Sequence, residues 1–350
     1  MSVLLIACLA VAMLPSAAMA APVFSDMPED YSTSALQAAV ENGLINGSNG
    51  KIMPNENLTR AQMGAIISRA FGAVRQSSLD SFSDVSPSEW YYAEMGKAVH
   101  MKVFKGADGR LNPNSPITRQ EAFAVVARAL KLQNGTAADL AAFSDGGEVS
   151  AWAVGTTAAM VANGYIHGAN GRLNPKDNIS RKDFAVMMDN IIKNYINTPG
   201  TVTKVNSGSV MINVPNVTLK DVTVKGNLII GDGVEDGNVV LDNVKVEGKT
   251  IVRGGGVNSF IIKGNSSLGK ITIAKVDGNI RICSEENAKA DIVEIEDGKD
   301  DVVIEGAFAK LDIAVSDVPV LIRKASIGEV SATAEKANIT VEKGSIVTAL

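Results

Sequence analysis

The sequence predicts a multidomain chain with an all-α N-terminal half and an all-β C-terminal half. The second half reads as a parallel β-helix, with a β-sandwich as the alternative. Three observations carry this. A set of motifs recurs three times between residues 24 and 192, with glycine-to-glycine offsets of 59 and 62 residues. A second repeat, 22 residues long, begins at Leu219. After Tyr195 the only aromatic residues are Phe260 and Phe308. At 350 residues the chain also exceeds what one compact core usually holds.

The first twenty residues read as an export signal. Residues 3–15 are nearly all apolar, and Ala18-Met19-Ala20 before Ala21 has the A-x-A form of a cleavage site, although no Lys or Arg stands near Met1. The run is too short for a comfortable transmembrane helix. Residues 5–8 resemble a lipobox, but the apolar stretch continues past Cys8, which argues against lipidation. Export leaves Cys283, expected as a small buried residue on a strand. With two cysteines and two histidines, no disulfide framework, metal site or cofactor is expected. A net charge of -5 with 20% charged residues excludes a generally basic nucleic-acid binder.

Each long repeat opens with Phe-Ser-Asp, at Phe24, Phe82 and Phe143. A helix is expected next, as in residues 90–103, where Ala93, Met95, Ala98, Val99 and Met101 mix in a helical pattern. Glycine-rich loops follow from Gly47, Gly106 and Gly168, each with a turn dipeptide: Asn49-Gly50, Asp108-Gly109, Asn170-Gly171. A second helix starts at Thr59, Thr118 or Ser180. Gln62, Glu121 or Asp183 three residues on gives capping-box spacing, with Asp183 the weakest match. Arg60, Arg119 and Arg181 then fall at the first helical position, where the helix dipole slightly disfavours a cation. Two explanations are available, and the first is the expected one. One is an anion site built from Arg and free helix N–H groups. The other is a salt bridge to a neighbouring repeat, for instance to Asp26, Asp84 or Asp145.

This pattern closely resembles the S-layer homology domain in its usual set of three. The carriers are the opening Phe-x-Asp, the aromatics Tyr31, Trp90 and Trp152, the loop ending in Pro, and the Thr-Arg-Ala-Glu-like helix start. The resemblance implies a pseudo-threefold α-helical bundle that binds secondary cell-wall polysaccharide non-covalently, often through a pyruvylated N-acetylmannosamine. It also implies an extracellular location at the wall or surface layer. Carried over residue by residue, it gives Arg60, Arg119 and Arg181 for the carboxylate, and Gly47, Gly106 and Gly168 for close backbone approach. Thr59, Thr118 and Ser180 would donate hydroxyls, and Trp90 and Trp152 would pack on a sugar face, with core packing as the alternative for the tryptophans. Lys102 stands where the other copies have Gly43 and Gly164, and Gln62 where the family has an acid, so the three sites are unequal. Arg181, in the copy that keeps both glycines, is expected in the most intact motif, with the arginines carrying affinity and little of the fold. His100, on a helix, and His167, in a loop, are expected to be structural or exposed.

Residues 197–200 look like a linker. The expected divisions are a signal at 1–20, repeats at 21–80, 81–141 and 142–196, and the β-helix from 197 to 350. In the β half, 219–230 is matched by 241–252, alternating Val or Ile with polar residues and turning at Gly, Asn and Asp. Rungs of that length suit a stacked aliphatic ladder, and the lack of Tyr or Trp excludes a membrane barrel's aromatic girdles. Acidic groups at Asp232, Glu235 and Asp236, and at Glu294, Glu296, Asp297, Asp300 and Asp301, are the only candidates for a carbohydrate-cleaving site; the second group is expected as a solvated loop or loose cation site. No Ser-His-Asp set, HExxH or phosphate loop is present. The expected protein is a non-enzymatic, wall-anchored surface protein with a structural or display β-helix. A wall-anchored carbohydrate-active enzyme and a self-associating lattice subunit are the alternatives.

Overall fold

A computed structural model describes residues 24–350; the expected signal segment lies outside the described residues. Six α-helices lie among them: α1 (Thr33–Glu41), α2 (Arg60–Ala70), α3 (Tyr92–His100), α4 (Arg119–Ala129), α5 (Val154–Ala162) and α6 (Arg181–Ile191). They form three helix–loop–helix units, as the repeat predicts. The first helix of each unit packs on the second helix of another: α3 on α2, α5 on α4, and α1 on α6.

The loops explain the repeated residues. Asp26, Asp84 and Asp145 each accept two backbone N–H groups from their own loop, at Ile52/Met53, Leu111/Asn112 and Leu173/Asn174, over 2.7–2.9 Å. Asn49-Gly50, Asp108-Gly109 and Asn170-Gly171 take the positive φ that the turn demands. Between units, three backbone hydrogen bonds run in a closed circuit: Leu58 N–H to Ile179, Ile179 to Ile117, and Ile117 to Leu58.

The β half is a solenoid in which every strand pairing is parallel, so the sandwich alternative is excluded. Val224, Val246, Leu268, Ala290, Phe308 and Ile327 stand in register along one face. The first three steps are 22 residues and the next two are 18 and 19, which is why the sequence repeat fades while the stack continues. Corners use left-handed residues such as Asp221, Asn243, Gly264 and Glu286. Cys283 is buried on the strand Ile280–Ser284, as expected, and burial pushes its thiol up to about 11.

The segment expected as a linker is a corner. Asn194–Ile196 already pairs with Val210–Ile212, and Gly200–Val202 with residues 217–219, so the first rung begins before residue 197. One ladder shows how the halves join. Tyr195, Met211, Ile229 and Ile251 are in register and pack into the helical core, whereas their successors Thr272, Glu294, Asp312 and Ser331 are polar. Apolar residues on the outer face of a strand are stable only when covered, and α-helical residues cover these.

Polar contacts fix the same junction. Arg253 is buried, makes a two-pronged pair with Asp232 (2.6 and 3.1 Å), donates to the carbonyls of Met101 and Ala129, and lies 5.6 Å from the Phe71 ring centre. Arg75 reaches Asp236 and Asp277, and Lys275 reaches Asp236. Asp297, 7% exposed, receives both Lys102 and Lys131. Asp232, Asp236 and Asp297 therefore hold the domain junction, which corrects the expectation of a solvated loop or loose cation site at Asp297. His100 belongs here too, its Nε2 3.5 Å from Asp277.

Candidate functional site

The helix starts line three seams between units. Thr59 and Ser180 cap their helices by accepting the N–H of Gln62 and Asp183 at 3.2 and 3.1 Å. Thr118 instead donates its hydroxyl to Glu121, which also accepts the Thr118 N–H. Gln62 completes the reciprocal bond to the Thr59 N–H, and Asp183 does not return it.

The neighbouring helix N–H groups are not free, contrary to the sequence expectation. Arg60, Arg119 and Arg181 donate their own N–H to Ser115, Asp177 and Glu56, and the next residues donate to Pro113, Pro175 and Pro54. The ring closure uses these groups up. The guanidinium groups also bind the seam: Nε donates to the carbonyl of Leu111, Leu173 or Ile52 at 2.7–2.8 Å. Ion pairs to another unit exist for two of them, but not to the aspartates of the opening motif, which are occupied by their own loops. Arg60 meets Glu121 at 2.9 Å and Arg119 meets Asp183 at 3.5 Å.

Arg181 differs. The position that holds Glu121 and Asp183 in the other units is the neutral Gln62 in the first, and Arg181 donates instead to the carbonyls of Ile52 and Asn46 and is only 5% exposed. The copy with the most intact motif thus holds the least accessible arginine. All three arginines are tied into the seams by hydrogen bonds, contacts that the sequence did not reveal.

Gly47, Gly106 and Gly168 do permit a close approach, but of the protein to itself. A Cβ at Gly106 would lie 2.4 Å from the Phe82 ring and 2.6 Å from the Arg110 carbonyl; Gly47 and Gly168 are crowded the same way by Phe24 and Phe143. The aromatic residues are the reverse. Tyr31, Trp90 and Trp152 are 66%, 60% and 56% exposed, which removes core packing as the explanation for the tryptophans.

Among the described residues, two open grooves hold the residues expected from the repeated motif. The first, about 410 Å³, brings Arg60, Gly106, Arg110, Glu121 and Trp152 together from all three units, with Lys105 and Arg128 beside them. The second, about 450 Å³, holds Arg119, His167, Gly168, Asp183 and Tyr31. Here the Tyr31 hydroxyl donates to Asp183 at 2.6 Å, and partial desolvation of the hydroxyl at the groove wall together with that carboxylate pushes its pKa up, although the side chain as a whole is exposed. The first groove is the more cationic. Lys105 and Arg128 were missed by sequence reasoning because they lie outside the loop and helix-start motifs; Arg110 stands within the repeated loop, where Lys51 and Arg172 occupy the same place, and that shared cation was the available signal.

Among the described residues no group of three His, Cys, Asp or Glu side chains is placed to hold a metal, and no helix is long and apolar enough to cross a membrane.

Comparison with known proteins agrees with the repeat. The S-layer homology domain model matches residues 23–63, 81–123 and 142–185. The chain is 34% identical over 200 residues to a surface-layer 125 kDa protein of Lysinibacillus sphaericus, covering 55% of this chain and 16% of that protein. It is 25% identical over 175 residues to an amylopullulanase of Thermoanaerobacterium thermosulfurigenes, covering 49% of this chain and 9% of the relative. It is 26% identical over 174 residues to the S-layer protein sap of Bacillus anthracis, covering 48% and 21%. The chain therefore spans between 9% and 21% of the length of these relatives.

Proposed function

We infer that this chain, which carries three S-layer homology domains ahead of a β-solenoid, is a surface protein held non-covalently to the cell wall. Its helical half binds an anionic secondary cell-wall polysaccharide, and the solenoid is a structural or display module. The units at 21–80, 81–141 and 142–196 act as one pseudo-threefold bundle, a reading supported by the closed circuit of Leu58, Ile117 and Ile179.

The observation that carries the reading is the first groove. Trp152 offers an exposed aromatic face of the kind that packs on a sugar ring, and Arg60, Arg110, Lys105 and Arg128 line the same concavity. A sugar acid such as a pyruvyl carboxylate matches that pairing of aromatic and cation. Arg110 and Arg128 are not among the residues that Glu121 pairs, so the groove keeps a positive balance. Peptidoglycan is the surface that presents the polymer. The Thr59 and Ser180 hydroxyls, which accept the caps, retain a hydrogen to donate.

Calorimetric titration with a pyruvylated disaccharide tests this. Trp152→Ala is expected to weaken binding about tenfold while leaving the melting temperature unchanged, since Trp152 is exposed. Unchanged affinity in that variant would remove the first groove as the site.

The likeness to surface-layer proteins favours a compatible second reading, self-association into a surface layer. Ordered sheets of the purified protein in electron micrographs would establish it. We assign no catalytic role: the matched amylopullulanase shares 9% of its length with this chain.

A further inference from the structure

A cavity of about 500 Å³ lies where the second helical unit meets the solenoid. Lys102, Lys105, Arg128 and Lys131 line it from the helical side, and Glu296 from the solenoid. It adjoins the first groove, since Phe104, Lys105 and Arg128 line both.

The charges do not balance within the cavity. Asp297 takes Lys102 and Lys131. Arg128 gives one hydrogen bond, to the Val103 carbonyl at 3.3 Å, and neither it nor Lys105 forms an ion pair among the described residues. Burial, and then Arg60 nearby, hold the Arg128 guanidinium below its ordinary value. Like charges gathered in a concave wall attract an anion. Val99, Phe104 and Leu132 supply apolar wall for the carbon face of a sugar.

We propose that this junction cavity is a second anion subsite, which takes a carboxylate or phosphate carried further along the glycan whose acid end occupies the first groove. The subsite rests on the wall-binding reading above, and the solenoid lines it through Glu296, whose carboxylate opposes the bound anion and limits its affinity.

The test is calorimetric titration of the full chain with two ligands: the pyruvylated disaccharide, and a longer oligosaccharide of the same polymer that keeps its anionic groups. The longer ligand is expected to bind about tenfold tighter. Two near-isosteric variants of opposite sign touch this cavity and not the first groove. Gln133→Glu, at an exposed position, is expected to cut the length advantage about threefold, and Glu296→Gln to raise it about threefold, with disaccharide affinity unchanged in both. Excess inorganic phosphate, which occupies the subsite without a sugar, is expected to erase the advantage and leave disaccharide binding intact. No length advantage in the unaltered chain overturns the subsite and spares the first groove. Variants that shift both ligands alike, or neither, also overturn it, as does phosphate that displaces the disaccharide but preserves the advantage. If neither ligand binds, the wall-binding reading falls, and the subsite with it.

Discussion

Lys102 Nζ lies 2.5 Å from Asp297 Oδ1, joining the end of a helix in the second repeat to a corner of the solenoid. Lys102 does this from a left-handed conformation, φ +60°, at the position where the other repeats have Gly43 and Gly164 at +67° and +69°. The backbone of the motif is unchanged, and only the side chain has been recruited. A lysine in that conformation costs about 1 kcal/mol relative to glycine. The contact with a buried carboxylate offsets it.

Lys102→Gly should therefore change stability little, because strain relief and the lost pair oppose each other. Asp297→Ala should cost about 1–3 kcal/mol, since it strands Lys102 and the less exposed Lys131 together. Urea unfolding of both variants checks this order. A larger loss in Lys102→Gly would show that the pair dominates.

Arg253→Ala should be among the most damaging substitutions at the junction, at about 3–5 kcal/mol, because Asp232 and two main-chain carbonyls lose their donor. Arg253→Lys should recover little, since an ammonium cannot reproduce the two-pronged geometry. Denaturation curves would show the effect, and full rescue by lysine would contradict it.

Much of this was legible in the sequence. The three helix–loop–helix units, their caps, the turn dipeptides and the parallel solenoid all follow from local patterns, because each is set by residues close together in the chain. The junction was missed because its partners are far apart: Arg75 and Asp277, or Lys131 and Asp297. One signal was present. Residues 210–212 and 228–230 are apolar at all three positions, whereas 271–273 is Ile-Thr-Ile, and a strand apolar on both faces has to be covered on both. The roles of the repeated glycines and arginines were half legible. Their positions mark the seam, but only the fold shows that Phe rings fill the glycine sites and that carbonyls occupy the arginine Nε groups.

Gly106→Ala should destabilise by about 1–3 kcal/mol, the usual range for overpacking, because its new methyl meets Phe82 and the Arg110 carbonyl. Phe82→Leu in the same chain should restore only part of the loss, since the carbonyl stays in place. Melting temperatures of the single and double variants test this, and an unaffected Gly106→Ala would refute the packing account.

The solenoid also gives a pH dependence. Burial, and next the adjacent Glu294, push the Glu296 carboxyl up to about 7 from an ordinary 4.5, against the pull of Lys131 and Lys270. Lys102, Lys105 and Arg128 face the same cavity. Between those values the unfolded chain ionises more readily than the folded one, so this group makes stability fall as pH rises from about 4.5 to about 7. Asp297 acts in the opposite sense. Burial alone would raise it, but Lys102 and Lys131 hold it below its ordinary value, so its contribution is lost as pH falls below the carboxylate range. Glu296→Gln should flatten the decline toward neutral pH and leave the acid limb unchanged. A series of melting curves from acid to neutral pH measures both limbs, and an unaltered decline in the variant would assign it elsewhere.

The central claim is that the helical half holds this protein to the wall through an acidic glycan. Co-sedimentation of the purified chain with wall sacculi, before and after chemical stripping of the secondary polymer, tests it most directly. The protein should pellet with intact sacculi, remain in solution with stripped ones, and lose much of its pelleting when Arg60 and Trp152 are both replaced by alanine in a chain that stays folded. Equal pelleting with intact and stripped sacculi would contradict the account.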